Sequence, residues 1–171
     1  MPDRKRLTFV IGGARSGKSA HAETLVTSRP APWTYIATAE AYDREMRERI
    51  ALHRSRRGEG WTTVDAPLDL AGALAALPEG RPVLVDCLTL WLTNHMLAEH
   101  DIEAECLRLT DVLSRPRGPW FVVSNEVGQG IVPDNALARR FRDAAGRLNQ
   151  QVAAVADTVL LMVAGLPLKV K

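Results

Sequence analysis

The chain has 171 residues, of which 46% are apolar and 25% charged, and 22 Lys and Arg against 20 Asp and Glu give a net charge of +2. This length predicts one domain over residues 1–171, and the small net charge excludes a strongly basic nucleic-acid coat protein or an acidic solvating tail. No apolar stretch approaches the roughly 20 residues that span a bilayer, and no signal-peptide pattern is present. We therefore expect a cytoplasmic protein with no nucleic-acid partner and no membrane insertion.

Strand-like and helix-like segments alternate along the sequence. Continuous apolar runs predict buried strands, and apolar residues spaced three and four apart predict helices. The predicted strands cover residues 7–11, 33–37, 61–64, 81–86, 120–124 and 158–163, with 168–171 as a hairpin partner of the last. The predicted helices cover residues 19–28, 41–57, 68–77, 88–113 with an interruption near Asp101, and 135–156. This order predicts an α/β protein with a parallel sheet and helices on both faces.

Several chemically interesting side chains are predicted to be structural. Cys87 and Cys106 are not part of a CxxC pattern, which disfavours a disulfide scaffold or a cysteine zinc cluster and predicts two small buried side chains. Trp91, Leu92 and Met96 fall at helical spacing and are predicted to pack in the core or at a subunit interface, not against a ligand.

One segment fits a phosphate-binding pattern. Residues 12–19 read GGARSGKS, which matches G-x-x-x-x-G-K-[ST] between a predicted strand and a predicted helix. Glycines let the backbone curl so that N–H groups point at phosphate oxygens, and the helix N-terminus favours an anion. Lys18 is predicted to reach the β- and γ-phosphates, and Ser19 to bind Mg²⁺. The predicted nucleotide-binding residues here are Gly12, Gly13, Ala14, Arg15, Ser16, Gly17, Lys18 and Ser19.

An acid at the end of another buried strand is the expected partner of this loop. Asp86 follows an apolar run and is predicted to act on the metal, directly or through water, with a helix N-cap as the alternative. The glycine-rich segment 125–130 also follows a buried strand. Because ligands bind at the carboxyl ends of strands in open α/β sheets, this segment is a candidate substrate or nucleotide loop, with a plain connection as the alternative.

Further motifs narrow the class of phosphate-loop protein. Classical GTPases read guanine with Asn-Lys-x-Asp, and none of the four asparagines of this chain is followed by lysine. A motor ATPase is normally longer and carries extra domains. The general chemistry therefore favours a kinase of small metabolites.

A histidine beside an arginine cluster is the second chemical signal. Met46, Ile50 and His53 are spaced to share one face of the predicted helix, and the segment 54–57 that follows holds three arginines. An imidazole can attack phosphorus while arginines hold a polyphosphate. A solvated basic helix end with an incidental histidine is the alternative.

Six blocks of the sequence resemble, in the same order, the bifunctional adenosylcobinamide kinase / adenosylcobinamide-phosphate guanylyltransferase family. They are GGARSGKS (12–19), YIAT (35–38), EMRERIALH (45–53), VDCLTLWLTN (85–94), SNEVGQGIVP (124–133) and ARRFRDAAGRLNQ (138–150). The phosphate loop alone is weakly specific, whereas its combination with RI-x-x-H and NEVG-x-GIVP is highly specific. The blocks cover essentially the whole chain.

The resemblance implies phosphorylation of the aminopropanol hydroxyl of adenosylcobinamide by ATP or GTP. Transfer of GMP from GTP through a covalent histidine intermediate then gives adenosylcobinamide-GDP and pyrophosphate. His53 stands at the position of the nucleophile, and Lys18 is the second catalytic residue. The resemblance also implies a RecA-like P-loop NTPase domain with a mostly parallel sheet, Mg²⁺ as cofactor, and a homotrimer with sites at subunit interfaces. By similarity, the nucleotide site also includes Ala37, Thr38, Ala39, Arg54, Ser55, Arg56, Arg57, Asp65 and Asp86.

Asp65 and Asp86 stand where the family often has glutamate, and the shorter side chain reaches less far. Two other functions are consistent with the phosphate loop alone. One is a plain small-molecule P-loop kinase without guanylyltransfer, and the other is a non-enzymatic assembly protein gated by nucleotide. Covalent GMP separates the bifunctional enzyme from both, and turnover of a hydroxyl substrate separates the kinase from the assembly protein.

Overall fold

The structure, a computed structural model, describes residues 6–171, with the exception of the side chain of His53. The first five residues of the predicted domain lie outside the described residues. The strands are β1 (Arg6–Gly12), β2 (Trp33–Ala37), β3 (Trp61–Asp65), β4 (Val83–Asp86), β5 (Pro119–Asn125), β6 (Thr158–Val163) and β7 (Leu166–Lys169). The helices are α1 (Lys18–Thr27), α2 (Arg44–Arg56), α3 (Leu70–Ala75), α4 (Leu88–Leu97), α5 (Ile102–Leu113) and α6 (Ala136–Val155).

The strands form one sheet in the order β3-β2-β4-β5-β1-β6-β7. Neighbouring strands run parallel from β3 to β6, and only β7 is antiparallel, paired with β6. Parallel strands all end at the same edge, so the carboxyl ends of β1, β2, β4 and β5 come together there. Every loop that the sequence singled out begins at this edge.

Both faces of the sheet are covered, which explains why the strands lack polar alternation. Along β1, Phe9 belongs to the core cluster that also contains residues of α3 to α6, and Val10 belongs to a smaller cluster with residues of α1. Trp91 and Leu92 are fully buried in the larger cluster and Met96 packs against it, as predicted. Cys87 and Cys106 are also buried, one in each cluster, and neither forms a disulfide.

The ends of two elements depend on capping and turn residues, and the sequence predicted one of them correctly. The predicted interruption near Asp101 is confirmed, because this residue caps α5 by accepting a hydrogen bond from the N–H of Ala104 at 3.1 Å. The terminal hairpin strand begins at Leu166 rather than at residue 168. Ala164 and Gly165 both have positive φ, +50° and +81°, and this two-residue turn lets pairing resume at once. Within residues 6–171, the helices are all too short or too polar to cross a membrane.

Candidate active site

The phosphate-binding segment forms a tight turn between β1 and α1. Gly17 caps α1 with φ +91°, and Arg15 has φ +53°. The N–H of Gly165, in the β6–β7 turn, donates to the carbonyl of Ser16 at 2.9 Å and so ties the loop to the far strands. The phosphate loop is therefore held in one conformation at the start of α1. The N–H groups of the first turn of a helix have no partner within the helix, and they can bind an anion there.

The close packing of this loop predicts a large effect of one added methyl group. A Cβ at position 17 would lie 3.2 Å from Cα of Gly165 on a left-handed backbone, whereas a Cβ at Gly13 would meet nothing within 4 Å. We expect Gly17→Ala to lower the free energy of unfolding by about 1–2 kcal/mol, measured by urea titration. Gly13→Ala, the matched control, should change it by less than about 0.5 kcal/mol. Equal effects of the two substitutions would contradict the proposed role of the left-handed turn.

Lys18 is folded back into the loop. Its side chain is buried, and Nζ donates to the carbonyl of Gly13 at 2.6 Å and lies 3.5 Å from Oγ of Ser16. Burial lowers the pKa of Lys18. Electrostatic attraction to Cys87 and to the carboxylate of Asp86 raises it and so opposes that shift. An ammonium group held in this way, with little water around it, is stabilised by an anion in the loop.

A cavity of about 310 Å³ lies at the carboxyl edge of the sheet beside this loop. It is lined by Ser19, Asp86, Leu90 and residues of β2, of the segment that follows β2, and of α2. The hydroxyl of Ser19 and the carboxylate of Asp86 are oxygen donors of the kind that Mg²⁺ prefers, so the residues present fit this ion. Cys87, and not Asp86, is the N-cap of α4 and its side chain makes no capping hydrogen bond, so the alternative of an N-cap role for Asp86 is wrong.

Helix α2 forms the opposite wall of the cavity. Asp43 starts the helix by accepting a hydrogen bond from the N–H of Met46 at 2.7 Å. The wall residues on α2 and at its end are Met46, Arg49, Ile50, Arg54 and Arg57. Position 53 therefore lies one turn after Arg49 and Ile50 and one turn before Arg57. The side chain of His53 itself is outside what the structure describes.

Arg54 forms a two-point contact with a carboxylate on β3. Its Nη2 lies 2.5 and 2.6 Å from the two carboxylate oxygens of Asp65. Both side chains are about half exposed, 46% and 61%, so the pair contributes no more than about 1 kcal/mol to stability. The main effect of this ion pair is to hold the end of α2 against β3 beside the cavity.

The remaining predicted residues divide into two groups. Ala37 and Ala39 line the cavity. Thr38 is fully buried between them, and its hydroxyl donates to the carbonyl of Cys87 at 2.7 Å and accepts from the N–H of Cys87 at 2.8 Å. Ser55 donates to a carbonyl of its own helix, and the exposed Arg56 is not part of the cavity wall. Thr38, Ser55 and Arg56 therefore do not line the cavity in this structure.

The glycine-rich segment 125–130 also lies next to the phosphate loop. The N–H of Glu126 donates to the carbonyl of Gly12 at 2.9 Å. Glu126, Gln129 and Gly130 line a second cavity of about 520 Å³ together with Gly13 and the end of β6. This position next to the loop is consistent with a substrate loop, which stays a prediction.

Among the polar residues that line the first cavity, sequence reasoning missed Tyr35 and Arg49. The signal for Tyr35 was present, because side chains two apart on a strand share a face and Ala37 was already assigned to the site. Arg49 lies one helical turn before His53 and was available from the same spacing argument.

These features define a nucleotide-binding protein of the P-loop class, with a phosphate loop, a strand-end acid and a basic helix around one cavity. The fold agrees. An ATPase of the type III secretion system of pathogenic bacteria superposes with a TM-score of 0.54 at 12% identity, covering 92% of this chain and 51% of that one. A protein of Pyrococcus horikoshii OT3 superposes with a TM-score of 0.55 at 10% identity, covering 99% and 87%. At such identities the likeness concerns the fold alone, and it confirms the predicted fold class.

Residues 8–170 match the family described as cobinamide kinase / cobinamide phosphate guanyltransferase, and the chain belongs to this family. The bifunctional adenosylcobalamin biosynthesis protein CobP of Pseudomonas aeruginosa is 47% identical over 166 residues, which cover 95% of this chain and 96% of that protein. The bifunctional adenosylcobalamin biosynthesis protein CobU of Salmonella typhimurium is 40% identical, with 96% and 99% covered. The family resemblance read from the sequence is thereby confirmed.

Proposed function

We propose that this chain phosphorylates the aminopropanol hydroxyl of adenosylcobinamide with ATP or GTP and then transfers GMP from GTP to the new phosphate. Family membership and the bifunctional relatives support both activities. The observation that carries the proposal is the cavity at the carboxyl edge. It joins Ser19 of the phosphate-loop helix and Asp86 of β4 to the basic end of the helix that holds position 53.

The kinase step needs positioning and charge neutralisation more than covalent chemistry. We assign the triphosphate to the N–H groups of residues 12–19, with Lys18 exchanging its bond to Gly13 for the phosphate oxygens. Ser19 and Asp86 would hold Mg²⁺, which neutralises phosphate charge when it is bound. The substrate hydroxyl attacks the γ-phosphorus, the bond to the bridging oxygen breaks, and the nucleoside diphosphate leaves.

The guanylyltransfer step is assigned to His53 as nucleophile. A neutral imidazole nitrogen attacks the α-phosphorus of GTP, a P–N bond forms, and pyrophosphate leaves. The phosphate of the acceptor then attacks the same phosphorus and breaks the P–N bond, which frees the histidine. Arg54 and Arg57 both line the cavity and are three residues apart in the sequence. They are therefore suited to stabilise the charge of the polyphosphate.

The experiment that tests this function uses GTP labelled on the α-phosphate. Purified protein is incubated with Mg²⁺ and the label, then denatured, and the chain is assayed for label that is stable to base and labile to acid. We expect one covalent GMP per chain, discharged by cobinamide phosphate. An unlabelled chain that binds GTP and still phosphorylates cobinamide would favour the plain kinase. A chain that binds GTP but neither takes up label nor phosphorylates cobinamide would favour the assembly protein.

We also propose that the chain forms a homotrimer, as the family resemblance implies. Several large apolar side chains near the second cavity are highly exposed, which supports an interface there: Ile131 is 98% exposed, Leu166 71% and Val132 61%. Light scattering after size-exclusion chromatography should give a mass of three chains, and a mass of one chain would contradict the proposal. Ile131→Asp should shift the mass toward one chain.

A further inference from the structure

One tyrosine contacts both walls of the first cavity. The hydroxyl of Tyr35 donates to Oδ2 of Asp86 at 3.1 Å. The guanidinium carbon of Arg57 lies 3.6 Å from the centroid of the same ring. The edge of Trp61 meets the ring at a centroid distance of 6.3 Å and an interplanar angle of 74°. The ring is thus held between β3 and the end of α2 while its hydroxyl contacts the end of β4.

These contacts reinforce one another electrostatically. The face of an aromatic ring is negative and attracts a guanidinium, and a hydroxyl that donates to a carboxylate makes the ring more electron-rich. Burial, followed by the negative charge of Asp86, raises the pKa of Tyr35 well above its usual range, so the hydroxyl keeps its proton. The carboxylate, the neutral phenol and the guanidinium together carry no net charge.

Arg57 keeps a donor for a ligand. Its Nε is buried and has no hydrogen-bond partner among the described residues, and Arg57 lines the cavity. An unmet buried donor costs free energy until a ligand oxygen accepts from it. Its position, stacked on Tyr35, decides where that donor can meet a polyphosphate.

We propose that Tyr35 is a positioning residue that orients the carboxylate of Asp86 through its hydroxyl and the guanidinium of Arg57 through its ring. The proposal rests on the proposed function, in which Asp86 serves the metal side and Arg57 the phosphate side. The hydroxyl and the ring then have separable effects, because Tyr35→Phe removes only the first and Tyr35→Leu removes both.

The test measures binding of a fluorescent GTP analogue, with and without Mg²⁺. For Tyr35→Phe we expect the Mg²⁺ concentration at half-maximal binding to rise about fivefold to tenfold, because the carboxylate loses its fixed donor. Binding in EDTA should stay within twofold of the parent. Tyr35→Leu should also weaken binding in EDTA, by about tenfold, because Arg57 loses its platform. Tyr42→Phe removes the hydroxyl of the other tyrosine, which contacts Glu40 and Asn94 outside the cavity wall, and should change neither quantity.

A double-mutant cycle separates positioning from a general structural role. If Tyr35 acts through Asp86, Tyr35→Phe should have no added effect on the Mg²⁺ dependence in an Asp86→Asn background. A shift below twofold in the single variant, or an equal shift in both backgrounds, would overturn the proposal. If Tyr35→Leu does not fold, the phenylalanine variant and the cycle decide alone. Should the parent bind GTP with Mg²⁺ but take up no covalent GMP, the proposed function fails while the binding result still tests Tyr35.

Discussion

His53→Ala is expected to abolish covalent labelling by GTP and all transfer of GMP, while phosphorylation of cobinamide stays within about threefold of the parent rate. The reason is chemical, since only the second step needs a nucleophile on the protein. The kinase step uses the phosphate loop, which lies on another element of the fold. The measurement is a pair of assays on one preparation, with label on the α-phosphate for one step and on the γ-phosphate for the other.

A histidine elsewhere in the chain provides the matched control. His100, at the turn between α4 and α5, lines a different cavity, so His100→Ala should leave both steps unchanged. Guanylyltransfer that survived in His53→Ala would place the nucleophile on another residue. A parallel loss of the kinase step in a folded variant would show that position 53 is needed for the shared cavity and not for the covalent step alone.

Lys18→Ala is expected to affect both steps, because both use a triphosphate. The ammonium group is buried against one carbonyl and one hydroxyl of the loop, so its removal takes away the buried positive charge that the loop offers to phosphate. Removing a preorganised charged donor typically costs on the order of 100- to 1000-fold in rate, and we expect a loss of that size in the kinase step. Nucleotide affinity, measured by calorimetry, should fall in parallel.

Lys169→Ala serves as the control for Lys18→Ala. Lys169 is an exposed lysine on β7, and its loss should leave affinity and rate unchanged. Thermal unfolding of both variants checks that the fold is intact. A folded Lys18→Ala chain with near-normal kinase turnover would remove the phosphate loop from the mechanism.

Local signals of the sequence were sufficient for most of the fold. The apolar runs of β1, β4, β5 and β6 are buried on both faces, so their hydrophobicity is continuous and easily read. Strand ends were less predictable. The prediction began β4 at residue 81 whereas it begins at Val83, because a proline at position 82 has no N–H to join the ladder.

The candidate site was predictable wherever chemistry is carried by consecutive residues. The phosphate loop is such a motif, because glycine conformations, helix N-terminus and lysine follow one another along the chain. Thr38 shows the limit of this reasoning. The family resemblance places it in the nucleotide site with its neighbours, whereas in this structure its hydroxyl bonds the backbone of Cys87 and it does not line the cavity. Side chains alternate between the two faces of a strand, but the sequence does not say which face lies toward a ligand when both faces are buried.

By itself, therefore, the sequence determined the class of fold, the phosphate loop and the family, since each depends on patterns that are local or ordered along the chain. Only the tertiary structure decided that Tyr35 lies between Asp86 and Arg57, and that Arg54 reaches Asp65. These partners are 11 to 51 residues apart along the chain. Their contacts depend on the strand order, with β2 between β3 and β4, which no local pattern encodes.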